Sequence, residues 1–138
     1  MVRLWNRFNE RGILPTTGAL LLIHRVFAMH PLIQDNLEGI RALARDYGVL
    51  RLEVFGSVCT DAFDPDRSDV DFLVEYPENY EFGPWLARFF TLQEALSCLL
   101  GREVDLVMTA ALNNRWFQRE AAKTRQVIFD GSKIPAVA

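Results

Sequence analysis

The stretch GSVCTDAFDPDRSDVDF, residues 56–72, joins a Gly-Ser turn to two aspartates that open an apolar run. Successive side chains of a β-strand point to opposite faces, so Asp69 and Asp71 share one face, with Cα atoms roughly 7 Å apart. Val70 and Phe72 then point the other way, toward a hydrophobic core. The stretch therefore predicts a strand that is apolar on one face and carries paired carboxylates on the other.

Two carboxylates held this close need something that offsets their repulsion. At about 4 Å between charged oxygens, the repulsion is on the order of 4 kcal/mol at an effective dielectric constant of about 20. One carboxylate could take up a proton, or a divalent cation could lie between the two. Mg²⁺ and Mn²⁺ favour carboxylate oxygens, and Mg²⁺ commonly links one or two carboxylates to substrate phosphates.

A third aspartate, Asp105, lies in the apolar segment EVDLV, where an isolated charge is costly. If the strand predicted at 103–108 lies beside the strand predicted at 69–76, three carboxylates come together. Such a triad can hold two metal ions for an in-line displacement at phosphorus.

The turn Gly56-Ser57 adds the features of a phosphate-binding loop. Glycine lets the backbone approach a phosphate closely, serine supplies a hydroxyl, and the N–H groups of the turn are further donors. Each motif taken alone has a simpler interpretation, since Gly-Ser is a common turn and Asp-x-Asp is frequent in solvated loops. Asp105 alone could pair with Arg102. All three in this order favour a site for metal ions and phosphate.

Hydrophobic periodicity predicts the elements around this site. A helix is predicted over 32–47, with Pro31 in its first turn and Gly48 at its end. The remaining predicted elements, in chain order, are strands at 49–56 and 69–76, a helix at 85–100 that ends at Gly101, a strand at 103–108, a helix at 113–125 and a strand at 126–130. This order predicts an α+β fold in which a small mixed β-sheet packs against helices.

Composition limits the class of protein. The chain has 138 residues, half of them hydrophobic, which is enough for one domain with its own core. A net charge of −3 gives no basic surface for duplex nucleic acid. Two cysteines without metal-ligand spacing favour a reducing, cytoplasmic compartment, and no apolar run reaches the roughly 18 residues of a membrane span. We expect an N-terminal arm or extension at 1–29 and a catalytic domain at 30–138.

These motifs resemble the signature of the DNA polymerase β-like nucleotidyltransferase superfamily. The matching pattern is Gly56-Ser57, 11 further residues, and then Asp-Val-Asp-Phe at 69–72, with Asp105 where that superfamily has its third carboxylate. The segments SDVDFLVEY and LGREVDLVMTAAL are similar to the minimal nucleotidyltransferases, the MNT or MntA-like group. The resemblance covers residues 30–131 and implies the palm-like fold of polymerase β.

The resemblance implies an activity and a role for each motif. Such proteins move a nucleoside monophosphate, here AMP from ATP, to an acceptor hydroxyl with the help of Mg²⁺ or Mn²⁺. The implied catalytic residues and metal ligands are Asp69, Asp71 and Asp105. The implied nucleotide-binding residues are Gly56, Ser57 and Ser68.

The resemblance also implies a partner. Many minimal members act as antitoxins beside a HEPN-domain toxin and modify that protein, in hetero-oligomers or as homodimers. One departure keeps an alternative open, because members often carry an arginine shortly after Gly-Ser, and this chain has Val58, Cys59 and Thr60 there. The alternative is a catalytically weak or inactive protein that neutralises a toxin by binding alone.

Overall fold

The computed structural model describes residues 29–133. The helices are α1 (Pro31–Asp35), α2 (Leu37–Asp46), α3 (Ala87–Leu100) and α4 (Arg115–Ala122), and the strands are β1 (Arg51–Phe55), β2 (Val70–Glu75), β3 (Val104–Met108) and β4 (Gln126–Asp130). The predicted arm lies outside the described residues except for Met29, whose side chain is buried in the core. The proposed boundary between arm and domain therefore stays a prediction.

The four strands form one mixed sheet in the order β3-β2-β1-β4. Strand β1 pairs antiparallel with β2 and with β4, and β2 pairs parallel with β3. A parallel pair needs a crossover connection, and α3 supplies it between β2 and β3. This arrangement confirms the predicted α+β class with a small mixed sheet packed against helices.

One face of the sheet carries the main hydrophobic core. Val70, Phe72 and Val74 of β2 are fully buried there, together with Leu52 and Val54 of β1. Apolar side chains of α1, α2 and α3, among them Ile33, Ile40, Leu92 and Leu96, complete this cluster. The alternation predicted for β2 is confirmed, because every second residue of the strand enters this core.

The opposite face is covered only in part, by α4. A smaller cluster forms there from Phe55, Leu73 and Ala121, with Val107 and Phe117 packed against it. The rings of Phe55 and Phe117 meet edge to face with centroids 5.6 Å apart. Asp71 lies two residues before Leu73 on β2, and Asp105 lies two residues before Val107 on β3. Side chains two residues apart on a strand point to the same face, so both aspartates lie on the face of this cluster.

The single helix predicted over 32–47 is wrong, because the structure divides it at Asn36 into α1 and α2. The side-chain amide of Asn36 donates to the Leu32 carbonyl at 2.8 Å, where the Asn36 backbone N–H would bond in a continuous helix. That N–H instead contacts the Ile33 carbonyl at 3.2 Å. The predicted ends are confirmed, with Pro31 in the first turn of α1 and Gly48 in the left-handed conformation after α2.

Candidate active site

Three strand ends bring the predicted site residues to one corner of the sheet. Asp71 and Asp105 are directly paired in the register of β2 and β3, so the predicted adjacency of these two strands is confirmed. Asp69 lies one residue before β2, and Phe55, the last residue of β1, pairs with Asp71. The turn that begins at Gly56 therefore starts beside the paired carboxylates.

The electrostatics show the cost of this arrangement. Partial burial, followed by the nearby carboxylates of Asp105 and Asp69, raises the pKa of Asp71 to about 6. A hydrogen bond between the Asp71 and Asp105 side chains adds to the increase. A divalent cation bound between these carboxylates would relieve the same repulsion that raises this pKa.

The donor set fits Mg²⁺ or Mn²⁺ as part of a coordination shell. Within residues 29–133, no three Asp, Glu, His or Cys side chains are arranged so that they could hold a metal ion unaided. Mg²⁺ does not require such a cage, since it usually keeps several waters and binds one or two carboxylates plus substrate phosphates. Asp71 with Asp105 or Asp69 supplies that partial shell, which phosphate oxygens and waters would complete.

Gly56 lets the turn lie directly against the carboxylate. Its φ is +78°, and a Cβ at this position would stand 2.6 Å from Oδ2 of Asp71. Any other residue would be strained here and would also displace the carboxylate. Gly56 begins a 3₁₀ turn that spans Gly56–Cys59. The predicted phosphate-binding turn therefore lies directly against the carboxylate of Asp71, a predicted metal ligand.

Sequence reasoning missed Thr124, which anchors this turn. Its Oγ1 accepts a hydrogen bond from the Gly56 N–H at 2.8 Å. The Gly56 N–H is therefore already engaged, and a phosphate bound at the turn would use other donors, such as the Ser57 hydroxyl. Thr124 lies 68 residues from Gly56, and no local pattern marks a contact of that separation.

Glu53 is a second feature that the sequence analysis did not identify. It is 3% exposed in β1, between β2 and β4. Arg125 contacts both of its carboxylate oxygens, at 3.3 and 2.5 Å, and Arg51 lies 3.2 Å from it. A buried carboxylate with this bidentate partner ties the segment after α4 to the central strand. The available signal was a glutamate in the middle of the apolar run VLRLEVF.

Ser68 is placed in the loop before β2. Its hydroxyl accepts a hydrogen bond from the Asp64 N–H at 2.9 Å, and its carbonyl accepts one from Arg102 at 2.7 Å. These contacts fix the loop that leads into Asp69. The predicted role of Ser68 in nucleotide binding stays a prediction, as do the predicted roles of the three aspartates and of the Gly56 turn.

The three residues after Gly56-Ser57, where family members often carry an arginine, differ in their exposure. Val58 and Cys59 are buried and Thr60 is exposed. Burial and the charge of Asp71 raise the pKa of the Cys59 thiol to about 11, so this thiol stays protonated and unreactive. Cys59 belongs to the main hydrophobic cluster, so the position that follows Val58 serves packing and supplies no cation.

The chain matches the family model of the nucleotidyltransferase domain over residues 38–129. It is similar to a Methanocaldococcus jannaschii protein assigned as a protein adenylyltransferase, with 34% identity over 88 residues, covering 63% of this chain and 85% of that protein. It is also similar to the protein adenylyltransferase MntA of Thermococcus cleftensis, with 40% identity over 74 residues, covering 54% of this chain and 70% of that protein.

Solved structures share the fold. One described as a minimal nucleotidyltransferase matches with a TM-score of 0.55 and 28% identity, covering 68% of this chain and 90% of that chain. Another, a tri-AMPylated Shewanella oneidensis HEPN toxin in complex with an MNT antitoxin, matches with a TM-score of 0.51 and 20% identity, covering 72% of this chain and 74% of that chain. The second likeness concerns the fold alone. The family model and the relatives together establish that this chain belongs to the nucleotidyltransferase domain family, among its minimal members.

Proposed function

We propose that this protein transfers AMP from ATP to a hydroxyl group of a partner protein in a reaction that depends on Mg²⁺ or Mn²⁺. The observation that carries the proposal is the contact of three elements at one corner of the sheet. Asp71 lies opposite Asp105, and the Gly56 turn lies against the Asp71 carboxylate. Acids paired across two strands beside a glycine turn suit metal-assisted phosphoryl transfer.

Each residue has a distinct task in this mechanism. Asp69 and Asp71 would hold the metal ion, which when bound neutralises phosphate charge and favours displacement at phosphorus. The turn after β1 holds the β and γ phosphates through Ser57, and Thr124 fixes the position of that turn. Asp105, exposed on the edge strand, orients the acceptor hydroxyl and accepts its proton.

The acceptor is proposed to be a HEPN-domain toxin, so that this chain acts as an antitoxin. Of the relatives described above, the Thermococcus cleftensis protein is named a protein adenylyltransferase and the Methanocaldococcus jannaschii protein is assigned as one. A solved complex that shares the fold contains an AMPylated HEPN toxin. The two cysteines Cys59 and Cys98 are free, which is consistent with a reducing cytoplasm. Among residues 29–133, no helix has both the length and the apolar character that a membrane crossing requires.

The second candidate, neutralisation by binding alone, has one observation in its favour. Arg67 is exposed in the loop that follows the turn, and Arg102 already donates to the Ser68 carbonyl. Neither arginine stands directly after Gly-Ser, where family members often carry one. Under this reading, metal and nucleotide would have no effect on neutralisation of the toxin.

One experiment separates the two candidates. The protein is incubated with lysate of the source organism, Mg²⁺ and ATP labelled at the α-phosphate, and labelled proteins are identified by mass spectrometry. Transfer predicts a labelled HEPN-domain protein that disappears with Asp69→Asn and persists with Asp61→Asn, an exposed acid of the neighbouring loop. No label alongside co-purification of that partner would favour binding alone.

A further inference from the structure

An open groove of about 480 Å³ lies between α3 and the edge strand β3, with Asp105 among its lining residues. Its lining comes from α3, including Phe90 and Glu94, and from the start of β3, including Glu103. Phe90 is 51% exposed, and both glutamates are exposed. Gln93 closes the floor of the groove by donating to the Val104 carbonyl at 2.8 Å. The groove therefore offers apolar surface and negative charge, with no cation in its lining.

The order of the strands gives this groove its position relative to the reaction. The Gly56 turn follows β1, Asp71 lies on β2 in the middle, and Asp105 lies on β3 at the edge. An in-line displacement at phosphorus needs the attacking and leaving oxygens on opposite sides of the phosphorus. With the β and γ phosphates at the turn, the acceptor must come from the β3 side.

The fold narrows the approaches to Asp105. The far part of the same sheet face is covered by α4, through Phe117 and Ala121 packed over Leu73. On the inner side, Asp105 contacts Asp71 of the neighbouring strand. The groove at the β3 edge has Asp105 in its lining. A second cavity, beside Asp69, is lined by Arg67 and Arg102, which disfavour a basic segment there.

We propose that this groove binds the segment of the partner protein that carries the acceptor hydroxyl, and that this segment is basic with an apolar side chain near the hydroxyl. The inference rests on the proposed nucleotidyl transfer. Glu94 and Glu103 attract Lys or Arg residues of the segment and repel acidic ones. Phe90 supplies the apolar contact, since half of its surface is available to a partner.

The transfer step balances with these groups. The acceptor oxygen forms a bond to the α-phosphorus of ATP while the bond from that phosphorus to the bridging β oxygen breaks. Pyrophosphate leaves on the side of the Gly56 turn, and the hydroxyl proton passes to the Asp105 carboxylate. The product is the AMP ester of the partner segment.

The test uses two synthetic peptides that each carry one tyrosine, one serine and one threonine. Arginine and leucine flank the hydroxyl residues in one peptide, and glutamate and leucine flank them in the other. With α-labelled ATP and Mg²⁺, we expect kcat/KM for the basic peptide to exceed that for the acidic peptide about tenfold, since each exposed charge pair contributes a modest factor. The double variant Glu94→Arg with Glu103→Arg should reverse the preference.

Matched controls separate the groove from general effects of charge and of exposed aromatic residues. Glu78→Arg with Glu81→Arg changes two exposed acids outside the groove and should keep the preference for the basic peptide. Phe90→Ala should lower transfer to both peptides about fivefold, because the apolar contact is lost. Trp116→Ala, which removes an aromatic side chain 68% exposed on α4, should leave transfer unchanged.

The outcomes distinguish this inference from the proposed reaction. Equal transfer to both peptides, unchanged in the groove double variant, overturns the acceptor groove and leaves nucleotidyl transfer standing. If neither peptide is labelled but a full-length protein in the lysate is, the same variants are compared on that protein. Glu94→Arg with Glu103→Arg must then reduce its label at least fivefold relative to Glu78→Arg with Glu81→Arg. Equal label in the two double variants overturns the acceptor groove. No labelled peptide and no labelled protein overturns the reaction and the groove together.

Discussion

The two faces of this sheet differ in what they bury and in what they leave open. One face is sealed by three helices, and its β2 residues Val70, Phe72 and Val74 are fully buried. The other face has one covering helix over a small apolar cluster, and beside that cluster stand Asp71 and Asp105. Because side chains alternate along a strand, β2 serves both faces at once. Substitutions at successive residues of β2 should therefore change either the stability of the protein or its activity, and rarely both.

The largest expected effect comes from the open face. Asp71→Asn should lower AMP transfer about a thousandfold or more, because metal-ion stabilisation of a phosphoryl transition state is worth several kcal/mol. Its melting temperature should stay the same or rise, since the variant removes a charge that burial and neighbouring acids disfavour. Initial rates with α-labelled ATP and a thermal melt check both parts. A fall in melting temperature large enough to explain the loss of rate would contradict the division of roles.

The sealed face should respond in the opposite way. Phe72→Ala should reduce the free energy of unfolding by about 3–5 kcal/mol, because it removes a fully buried aromatic side chain and leaves a cavity. Transfer per folded molecule should be nearly unchanged. Urea unfolding monitored by circular dichroism measures the free energy of unfolding. Phe90→Ala is the control for the loss of an aromatic side chain, because that ring is half exposed.

Glu53 tests the part of the open face that α4 covers. Arg125→Ala should cost about 3 kcal/mol of unfolding free energy, because it leaves the buried Glu53 carboxylate without its bidentate partner. Urea unfolding of Glu53→Ala, Arg125→Ala and the double variant gives a double-mutant cycle, which measures the interaction energy between Glu53 and Arg125. Fully additive losses would show that this ion pair does not tie the segment after α4 to the sheet.

Gly56 should separate stability from activity at a single position. Gly56→Ala introduces a left-handed alanine, which costs about 1 kcal/mol, and its Cβ displaces the Asp71 carboxylate. Gly101→Ala is the matched control, with φ +64° and nothing within 4 Å of the added Cβ. Both variants should lose similar stability in thermal melts, while only Gly56→Ala loses transfer, by about a hundredfold, comparable with the loss of one preorganised electrostatic contact. Equal rates would mean that the contact with Asp71 is unimportant.

The smallest predicted effect is a pH dependence of stability in the metal-free protein. Because the folded state raises the pKa of Asp71 to about 6 from 3.8, it binds more protons than the unfolded state between these values. The free energy of unfolding should therefore fall as the pH rises from about 4 to about 6. The contribution is on the order of 1 kcal/mol, since solvent screens a partly buried charge.

Urea unfolding in EDTA across this range measures the slope. Asp71→Asn should flatten it relative to the unsubstituted chain, and Asp61→Asn, an exposed acid, should not. A slope that persists in Asp71→Asn would assign the effect to another group.

Local patterns predicted much of the fold and the pairing of Asp71 with Asp105. Strand alternation identified the buried side of β2, and Gly101 ends α3 as expected. These features depend on residues close together in the chain. The contacts of Glu53 with Arg125 and of Gly56 with Thr124 span 72 and 68 residues, so periodicity carried no sign of them. The break at Asn36 escaped prediction because a side-chain hydrogen bond replaced a backbone one.

The central claim is that the turn after β1 binds phosphates beside a metal ion held by Asp69 and Asp71. Crystals grown with Mn²⁺ and a non-hydrolysable ATP analogue would test it most directly, through the anomalous signal of manganese. The account predicts a peak within coordination distance of the Asp69 and Asp71 carboxylates, with the triphosphate running from that peak to the Gly56-Ser57 turn. Nucleotide bound elsewhere, or manganese absent from these carboxylates while nucleotide is present, would contradict it.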